Sequence, residues 1–368
     1  MTKKNQLSRR QFVAVGAASA AGASVLAKPA VAAGNIEWRM VTSWPKDLPG
    51  PGVTARRLVE RINVMSAGRL KIRLYSASEL VPALEVFDAV SNGLAEMAHT
   101  AALFWGGKMS AAPFFTAVPF GLAPIEHITW IEHGGGQALW DELYAPFKIK
   151  PFMAGNTGFQ MGGWYKKPVN SLEDLKGLKI RMPGLGGKVM KRLGATPLTL
   201  APSDILPALQ SGVIDATEFL GPFSDMAMGF HRAAKHYYWP GFHEPNGTGE
   251  ALISVDAWNA LDDQLKAIVE NACRAENAYA LAEAEWQNAT ALKRLVDEFQ
   301  VNVRPYPQEI LTAAREASAA VMAEFEAAGD ISSRIYESMS SARTRLGPWS
   351  KVSQAAFFAA REESDVDK

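Results

Sequence analysis

The chain has 368 residues, with 38 basic and 38 acidic side chains, and is formally neutral as a whole. Neutrality excludes the broad basic footprint of a nucleic-acid-binding protein. It also hides an asymmetry, because Lys3, Lys4, Arg9, Arg10 and Lys28 precede the first acid, Glu37, so loss of this opening segment leaves 0 − 5 = −5 on the rest.

The opening segment reads Ser8-Arg9-Arg10-Gln11-Phe12-Val13, then a mild Ala/Gly/Val stretch, then Ala30-Val31-Ala32-Ala33. That pattern is a twin-arginine export signal over residues 1–33, with cleavage expected near Ala32 or Ala33 and the periplasm as destination. The apolar run from Phe12 to Ala27 is shorter than the roughly 20 residues a bilayer span needs. Cys273 is the single cysteine, so no disulfide is expected within the chain, and its setting between Ala272 and Arg274 suits a small core residue. The remaining 368 − 33 = 335 residues exceed what one core usually supports, so two lobes are expected.

Strand patterns are predicted at residues 36–42, 70–75, 95–100, 148–155, 163–167, 178–182, 213–218 and 251–255, with helical patterns between them. The first of these alternate with helices at 52–65 and 82–91, the order that builds a parallel α/β sheet with right-handed crossovers. A second α/β unit starts near Asn156. From Asp262 the character changes to long helical patterns at 262–299 and 307–328, with a third segment after Pro348. Leu265, Ile268, Val269, Ala272, Cys273, Tyr279, Leu292, Leu295 and Val296 supply the apolar face of the first. Helices this long can brace two lobes or reach a partner subunit, and each taken singly can equally well pack onto one sheet.

The strands at 178–182 and 213–218 each carry a charged residue to the end and then break at a Pro-Gly or Gly-Pro pair. Arg181 and Glu218 therefore sit at carboxyl strand ends, where open α/β sheets bind ligands. Arg181 offers a planar fork that matches a carboxylate, and Glu218 can bind a hard cation through oxygen. Two readings stand side by side: the pair neutralises itself, or each charge meets a ligand. Asn156 and Gln160 in a glycine-rich loop, and Glu244 after Trp239-Pro240-Gly241, add the mix of amides and isolated charges found in binding clefts. The stretch Gly184-Leu-Gly-Gly-Lys188 lacks the spacing of a phosphate loop, the six histidines lack zinc-ligand spacing, and no nucleophile motif is present, so no catalytic residue is assigned.

Several motifs in order, Gly155-Asn-Thr-Gly-Phe-Gln-Met-Gly-Gly-Trp164, Leu175-Lys-Gly-Leu-Lys-Ile-Arg-Met-Pro-Gly184, Gly187-Lys-Val-Met190, Leu206-Pro-Ala-Leu209 and Gly212-Val-Ile-Asp-Ala-Thr-Glu218, carry a resemblance. The chain resembles the solute-binding proteins of tripartite ATP-independent periplasmic (TRAP) transporters, above all the branch that binds 2-oxo or 2-hydroxy monocarboxylates with a metal ion. The resemblance implies an α/β, two-lobed periplasmic binding protein: lobe I over 34–155, completed by about 246–262, lobe II over 156–245, and long C-terminal helices over 263–368 that brace the lobes or form a homodimer. It implies that Arg181 binds the ligand carboxylate, that Asn156 donates to the ligand with Glu244 in the same cleft, and that Gln160, Glu218 and the main-chain carbonyl of Phe219 hold the metal. Charge counting favours Na⁺, with Ca²⁺ the choice if Glu244 is ionised. Relatives carry tyrosines after the His-Thr pair, whereas this chain reads His99-Thr100-Ala101-Ala102-Leu103-Phe104-Trp105, so with Phe104 and Trp105 at the cleft the far end of a pyruvate-, 2-oxobutanoate- or lactate-like ligand is expected to be more apolar. The implied function is capture of that ligand and delivery to the permease membrane subunits, not catalysis. The rival readings are an exported enzyme acting on a small carboxylic acid and a ligand-sensing partner of a signalling receptor.

Overall fold

Residues 36–42 turn Trp38 and Met40 inward while Glu37 and Arg39 face outward, the alternation of a strand with one covered side. The computed structural model describes residues 35–363, so the export signal expected at 1–33 lies outside the described residues. In chain order the strands are β1 (Ile36–Thr42), β2 (Leu70–Tyr75), β3 (Met97–Thr100), β4 (Ile149–Asn156), β5 (Gly163–Tyr165), β6 (Lys179–Arg181), β7 (Thr196–Leu198), β8 (Ala216–Thr217), β9 (His236–Trp239), β10 (Thr248–Ser254) and β11 (Asn302–Pro305). They form a five-stranded sheet in the order β2-β1-β3-β10-β4 and a six-stranded sheet in the order β11-β9-β5-β8-β6-β7. In the first, β1 is parallel to β2 and β3, while β10 runs antiparallel between β3 and β4. In the second, β6 lies parallel between β7 and β8, with Arg181 in register with Thr217. Arg181 and Glu218 are thereby delivered side by side.

The sequence pattern missed β7, β9 and β11, each of three or four residues. The segment after residue 263 was expected to be helical, but its β11 extends the second sheet at an edge, where Pro305 is tolerated. The last long helix runs over Ile331–Ser350 and so begins well before Pro348, which sits inside it. Its start is fixed by Asp330, whose carboxylate accepts the Ser332 amide at 2.7 Å. No helix among the described residues is long and apolar enough to cross a membrane.

The 35-residue helix Asp263–Asp297 links the sheets; at 1.5 Å per residue it is about 50 Å long. Its start, Leu265, Val269 and Ala272, packs with Trp38, Met40 and Leu58 of the first sheet and its covering helix. Its end, Leu295, packs with Trp164 and Tyr237 of the second. Tyr279 and Val296, expected on the apolar face, are instead exposed. The buried stripe is 265, 269, 272, 273, 276, 277, 280, 291 and 295, and it includes a charge. That charge is Glu276, whose fully buried carboxylate pairs with Arg57 at 2.7 Å and Arg61 at 3.3 Å, both from the helix Pro51–Met65. Arg57 also clasps Glu283 with two bonds of 2.9 Å.

A second buried acid decides the fate of Trp105. The short turn Ala102–Trp105 sends Phe104 and Trp105 in different directions, and Trp105 enters the core. Its indole N–H donates to Glu250 Oε1 at 2.6 Å, and the Tyr144 hydroxyl donates to Oε2 at 3.1 Å. Burial pushes the Glu250 carboxyl up to about 8, against an ordinary value of 4.5.

Two predictions follow from these acids. Removing Glu276 leaves two arginines facing one another without their partner, so Glu276→Ala should lower stability by about 2 kcal/mol in urea titration, the partial exposure of both arginines having been discounted; an unchanged midpoint would refute the clasp. Glu250 holds its proton in the folded chain between about pH 4.5 and pH 8, where the unfolded chain releases it, so stability falls as pH rises through that window. Thermal unfolding at pH 5 and pH 8 should therefore differ more in the wild type than in Glu250→Gln; equal differences would show that Glu250 does not hold that proton.

Candidate functional site

Arg181 ends β6 and Glu218 follows β8, and both side chains are almost wholly buried, 3% and 1% exposed. Arg181 Nη1 donates to Glu218 Oε1 at 2.5 Å and to the Glu218 carbonyl at 2.9 Å. The guanidinium carbon lies 5.7 Å from the centre of the Phe219 ring. The two charges do neutralise each other, yet incompletely, because Arg181 Nε is buried with no partner. A buried donor without a partner is costly, so this edge of the fork suits a ligand oxygen.

Oxygen donors gather beside it. Gln160 is buried; its Nε2 donates to Thr157 Oγ1 at 2.9 Å, which leaves its Oε1 buried without a partner. Glycines permit this: a Cβ at Gly247 would stand 2.2 Å from Gln160 Nε2, and one at Gly241 would stand 2.3 Å from the Gln160 carbonyl. Glu218, His243 and Glu244 offer ligand atoms within 4.8 Å of one another. His243 Nε2 lies 3.2 Å from Glu218 Oε2. Burial, and next the neighbouring Glu218 carboxylate, push the Glu244 carboxyl well above its usual range. An unpartnered amide oxygen beside two carboxylates fits a hard cation such as Na⁺ or Ca²⁺, which takes oxygen ligands and relieves the repulsion between the acids.

Arg181, Gln160 and Glu244 open on a cleft of about 60 Å³. Of the expected residues, Arg181, Asn156, Gln160, Phe219, Glu244 and Phe104 line it, whereas Glu218 does not, its carboxylate lying against Arg181 and His243. Trp105 does not, for the reason given above, and the expected contact with a ligand is replaced by its bond to Glu250. Phe104 instead meets Trp44, ring centres 6.2 Å apart, and with Leu103, Ala101 and Pro51 makes an apolar wall. One N–H of the Asn156 amide donates to Asn246 at 2.9 Å, and the amide has a second.

Some functional residues escaped the sequence pattern. Ala280, Glu283, Ala284 and Asn288 of the long helix line the cleft, and Asn288 Oδ1 accepts the Phe223 amide at 2.9 Å. Asp225 is buried beneath the Glu218 loop and accepts from Trp164 at 2.9 Å, Tyr237 at 2.8 Å and the Leu220 amide at 3.0 Å. Burial pushes its carboxyl up to about 7. His99, also in the wall, accepts the Trp44 indole N–H at 2.8 Å and donates to the Ala154 carbonyl at 3.1 Å, and burial pushes it down to about 4, so it stays neutral. The one available signal was spacing, with 280, 284 and 288 continuing the stripe of the long helix.

Comparison with known proteins agrees with this geometry. Residues 42–328 match the bacterial extracellular solute-binding protein family 7, DctP. The chain is 40% identical over 323 residues, 88% of each sequence, to a monocarboxylate 2-oxoacid-binding periplasmic protein of Nostoc sp.. A TRAP transporter solute-binding protein of Bordetella bronchiseptica, a mixed-occupancy dimer with copurified calcium and picolinate, superposes with a TM-score of 0.87 at 35% identity, covering 90% of this chain and 100% of that one. Another, from Pseudoalteromonas atlantica with bound sodium and pyruvate, gives 0.86 at 35% identity, covering 88% and 99%. The two sheets and the long C-terminal helices are the fold of these receptors, and the chain belongs to the DctP family of bacterial extracellular solute-binding proteins.

Proposed function

We propose that this chain is the periplasmic receptor of a TRAP transporter for a small 2-oxo or 2-hydroxy monocarboxylate, of the pyruvate, 2-oxobutanoate or lactate kind, bound together with Na⁺ or Ca²⁺. The observation that carries this reading is the pairing of two unsatisfied buried groups in one cleft, Arg181 Nε and Gln160 Oε1. One calls for an anion and the other for a cation. A cavity of about 60 Å³ has room for only a few atoms, on the order of four to six waters, which suits an acid of pyruvate size.

In this reading Arg181 takes the ligand carboxylate, Asn156 donates to it, and Gln160, Glu218, the Phe219 carbonyl and Glu244 hold the ion. The ion supplies positive charge to the ligand's oxygens. With Na⁺, neutrality requires Glu244 to keep its proton; with Ca²⁺ both acids are ionised. Leu103 and Phe104 meet the ligand's far end. Residues 34–155 with 246–262 form lobe I and residues 156–245 form lobe II, each centred on one sheet, and the ligand favours the closed arrangement by touching both. No bond is made or broken. The chain reaches the periplasm by the twin-arginine signal at 1–33 and hands its ligand to the permease subunits.

The C-terminal helices supply a homodimer contact in the same reading. Trp349, Val352, Phe357 and Phe358 are 66%, 67%, 62% and 46% exposed, an apolar stripe that a monomer would leave in water.

Arg181→Ala would strand Glu218 as a buried unpaired charge, so Arg181→Lys is the more informative variant: it keeps the cation but loses the fork. Calorimetry with pyruvate, in Na⁺ and in Ca²⁺, should give wild-type binding in at least one salt and a loss of at least about 30-fold in Arg181→Lys, or ~2 kcal/mol. Undiminished affinity would sink the carboxylate assignment. Sedimentation of the mature chain should give a dimer that Trp349→Glu with Phe357→Glu converts to monomer; a wild type that is monomeric at every concentration would remove the contact.

A further inference from the structure

Phe219 and Leu220 form part of the cleft wall, and the Phe219 carbonyl is the main-chain oxygen assigned above to the ion. The peptide groups on either side are held by the fold. The Glu218 carbonyl accepts from Arg181 Nη1 and from the Thr217 hydroxyl, both at 2.9 Å, and the Leu220 carbonyl accepts the Met161 amide, next to Gln160, at 3.3 Å. The peptide between them makes one hydrogen bond, from the Leu220 N–H to Asp225 Oδ1 at 3.0 Å. Among the described residues no donor reaches the Phe219 carbonyl.

The single cis peptide bond among the described residues is Trp239–Pro240, so Phe219–Leu220 is planar and trans, and its C=O and N–H point in opposite directions. Asp225, on the helix Pro222–Met228, is 1% exposed and does not line the cleft. Drawing the N–H toward Asp225 therefore turns the carbonyl away from it. The neighbouring hydrogen bonds hold the two flanking Cα atoms but not the plane between them, which is free to rotate about the line joining those atoms. Asp225 is itself held, because its Oδ2 accepts from the Trp164 indole on β5 at 2.9 Å and from the Tyr237 hydroxyl on β9 at 2.8 Å. A carboxylate on the N–H also polarises the peptide and adds negative charge to its carbonyl oxygen, which favours a cation there.

We propose that Asp225 is a positioning residue for the ion: by holding the Leu220 N–H from behind the wall, it aims the Phe219 carbonyl into the cleft. This rests on the reading of the cleft as a site for a carboxylate with Na⁺ or Ca²⁺. Packing alone would depend on the volume of the side chain at 225, whereas aim depends on an acceptor facing the Leu220 N–H.

The test is calorimetry of pyruvate at graded concentrations of the ion that supports wild-type binding, at pH 8, where the Asp225 carboxyl, pushed up to about 7, is ionised. Asp225→Asn keeps the volume. Its oxygen serves Trp164 and Tyr237, two donors against one, so its NH₂ meets the Leu220 N–H donor to donor and drives the peptide from its orientation. The ion concentration that gives half of full binding should rise about tenfold or more in Asp225→Asn, and by less in Asp225→Ala, which leaves the peptide merely unheld. Packing would give the reverse order. Phe-Leu occurs once in the sequence, so protein labelled with ¹³C at the phenylalanine carbonyl and ¹⁵N at leucine gives one linked NMR signal, from this peptide. With pyruvate present, the ion should move that carbonyl signal in the wild type and move it less in Asp225→Asn. Wild-type ion dependence in Asp225→Asn, a larger effect of Ala than of Asn, or a carbonyl signal that moves equally in wild type and Asp225→Asn would each overturn the proposal. If neither variant folds, the wild type decides: a carbonyl signal that follows the ion supports the proposal, and one that ignores an ion required for pyruvate binding overturns it while the receptor reading stands. Wild-type protein that binds no pyruvate with either ion overturns both.

Discussion

The buried pair Arg181–Glu218 is the interaction around which the site is arranged. Two ions taken out of water each lose several kcal/mol of solvation, and mutual attraction offsets this only when their remaining hydrogen-bonding capacity is also satisfied. Here it is not: Arg181 Nε has no partner, and Glu244 adds a second acid whose carboxyl is pushed up by burial and by Glu218. The fold supplies enough compensation for the site to exist and leaves a shortfall of one anion and one cation. In the proposed reading a ligand that brings only a carboxylate would worsen the repulsion with the two acids, so anion and cation are expected to bind in a thermodynamically coupled way, each improving the affinity of the other.

That arrangement needs both sheets held at the right separation, and the helix Asp263–Asp297 provides it. Its early turns are fixed to the first sheet by apolar packing and by Glu276 between Arg57 and Arg61. Its late turns are fixed to the second by Leu295 and by Asn288 on the Phe223 amide. Between these anchors the same face passes the cleft with Ala280, Glu283 and Ala284. Small residues there leave room, and Glu283 is neutralised by Arg57 instead of by ligand.

The strand-end placement of Arg181 and Glu218 was legible because alternation and Pro-Gly breaks are local signals, and parallel pairing followed from the strand and helix order. The two readings of that pair turn out not to be exclusive, since one nitrogen of Arg181 serves Glu218 and another has no partner. Phe104 and Trp105 could not be told apart, because a single tight turn decides which of two adjacent aromatics faces the cleft, and no periodicity marks it. Nothing in the sequence marks Glu250, Glu276 and Asp225 as buried. Their burial depends on tryptophan, tyrosine and arginine partners tens to hundreds of residues away, such as Trp105 for Glu250 and Arg57 for Glu276. The Asn156 amide was legible as a cleft residue but not in direction, which the Gly158 N–H sets by donating to its Oδ1.

Charge also bears on the class of acid. Among the described residues that line the cleft, Arg181 is the one cation, while Glu244 and Glu283 are both acidic. In the proposed reading a monocarboxylate uses the free edge of Arg181 and leaves its other end against Leu103, Phe104 and Ala101. A dicarboxylate of similar length would set its second charge either on that apolar wall or toward the acids, with no guanidinium to receive it. Burying an uncompensated carboxylate costs several kcal/mol, on the order of a thousandfold or more in affinity. In that reading discrimination against the second charge comes from what the cleft lacks, whereas recognition of the first comes from one donor that the fold has left unpaired.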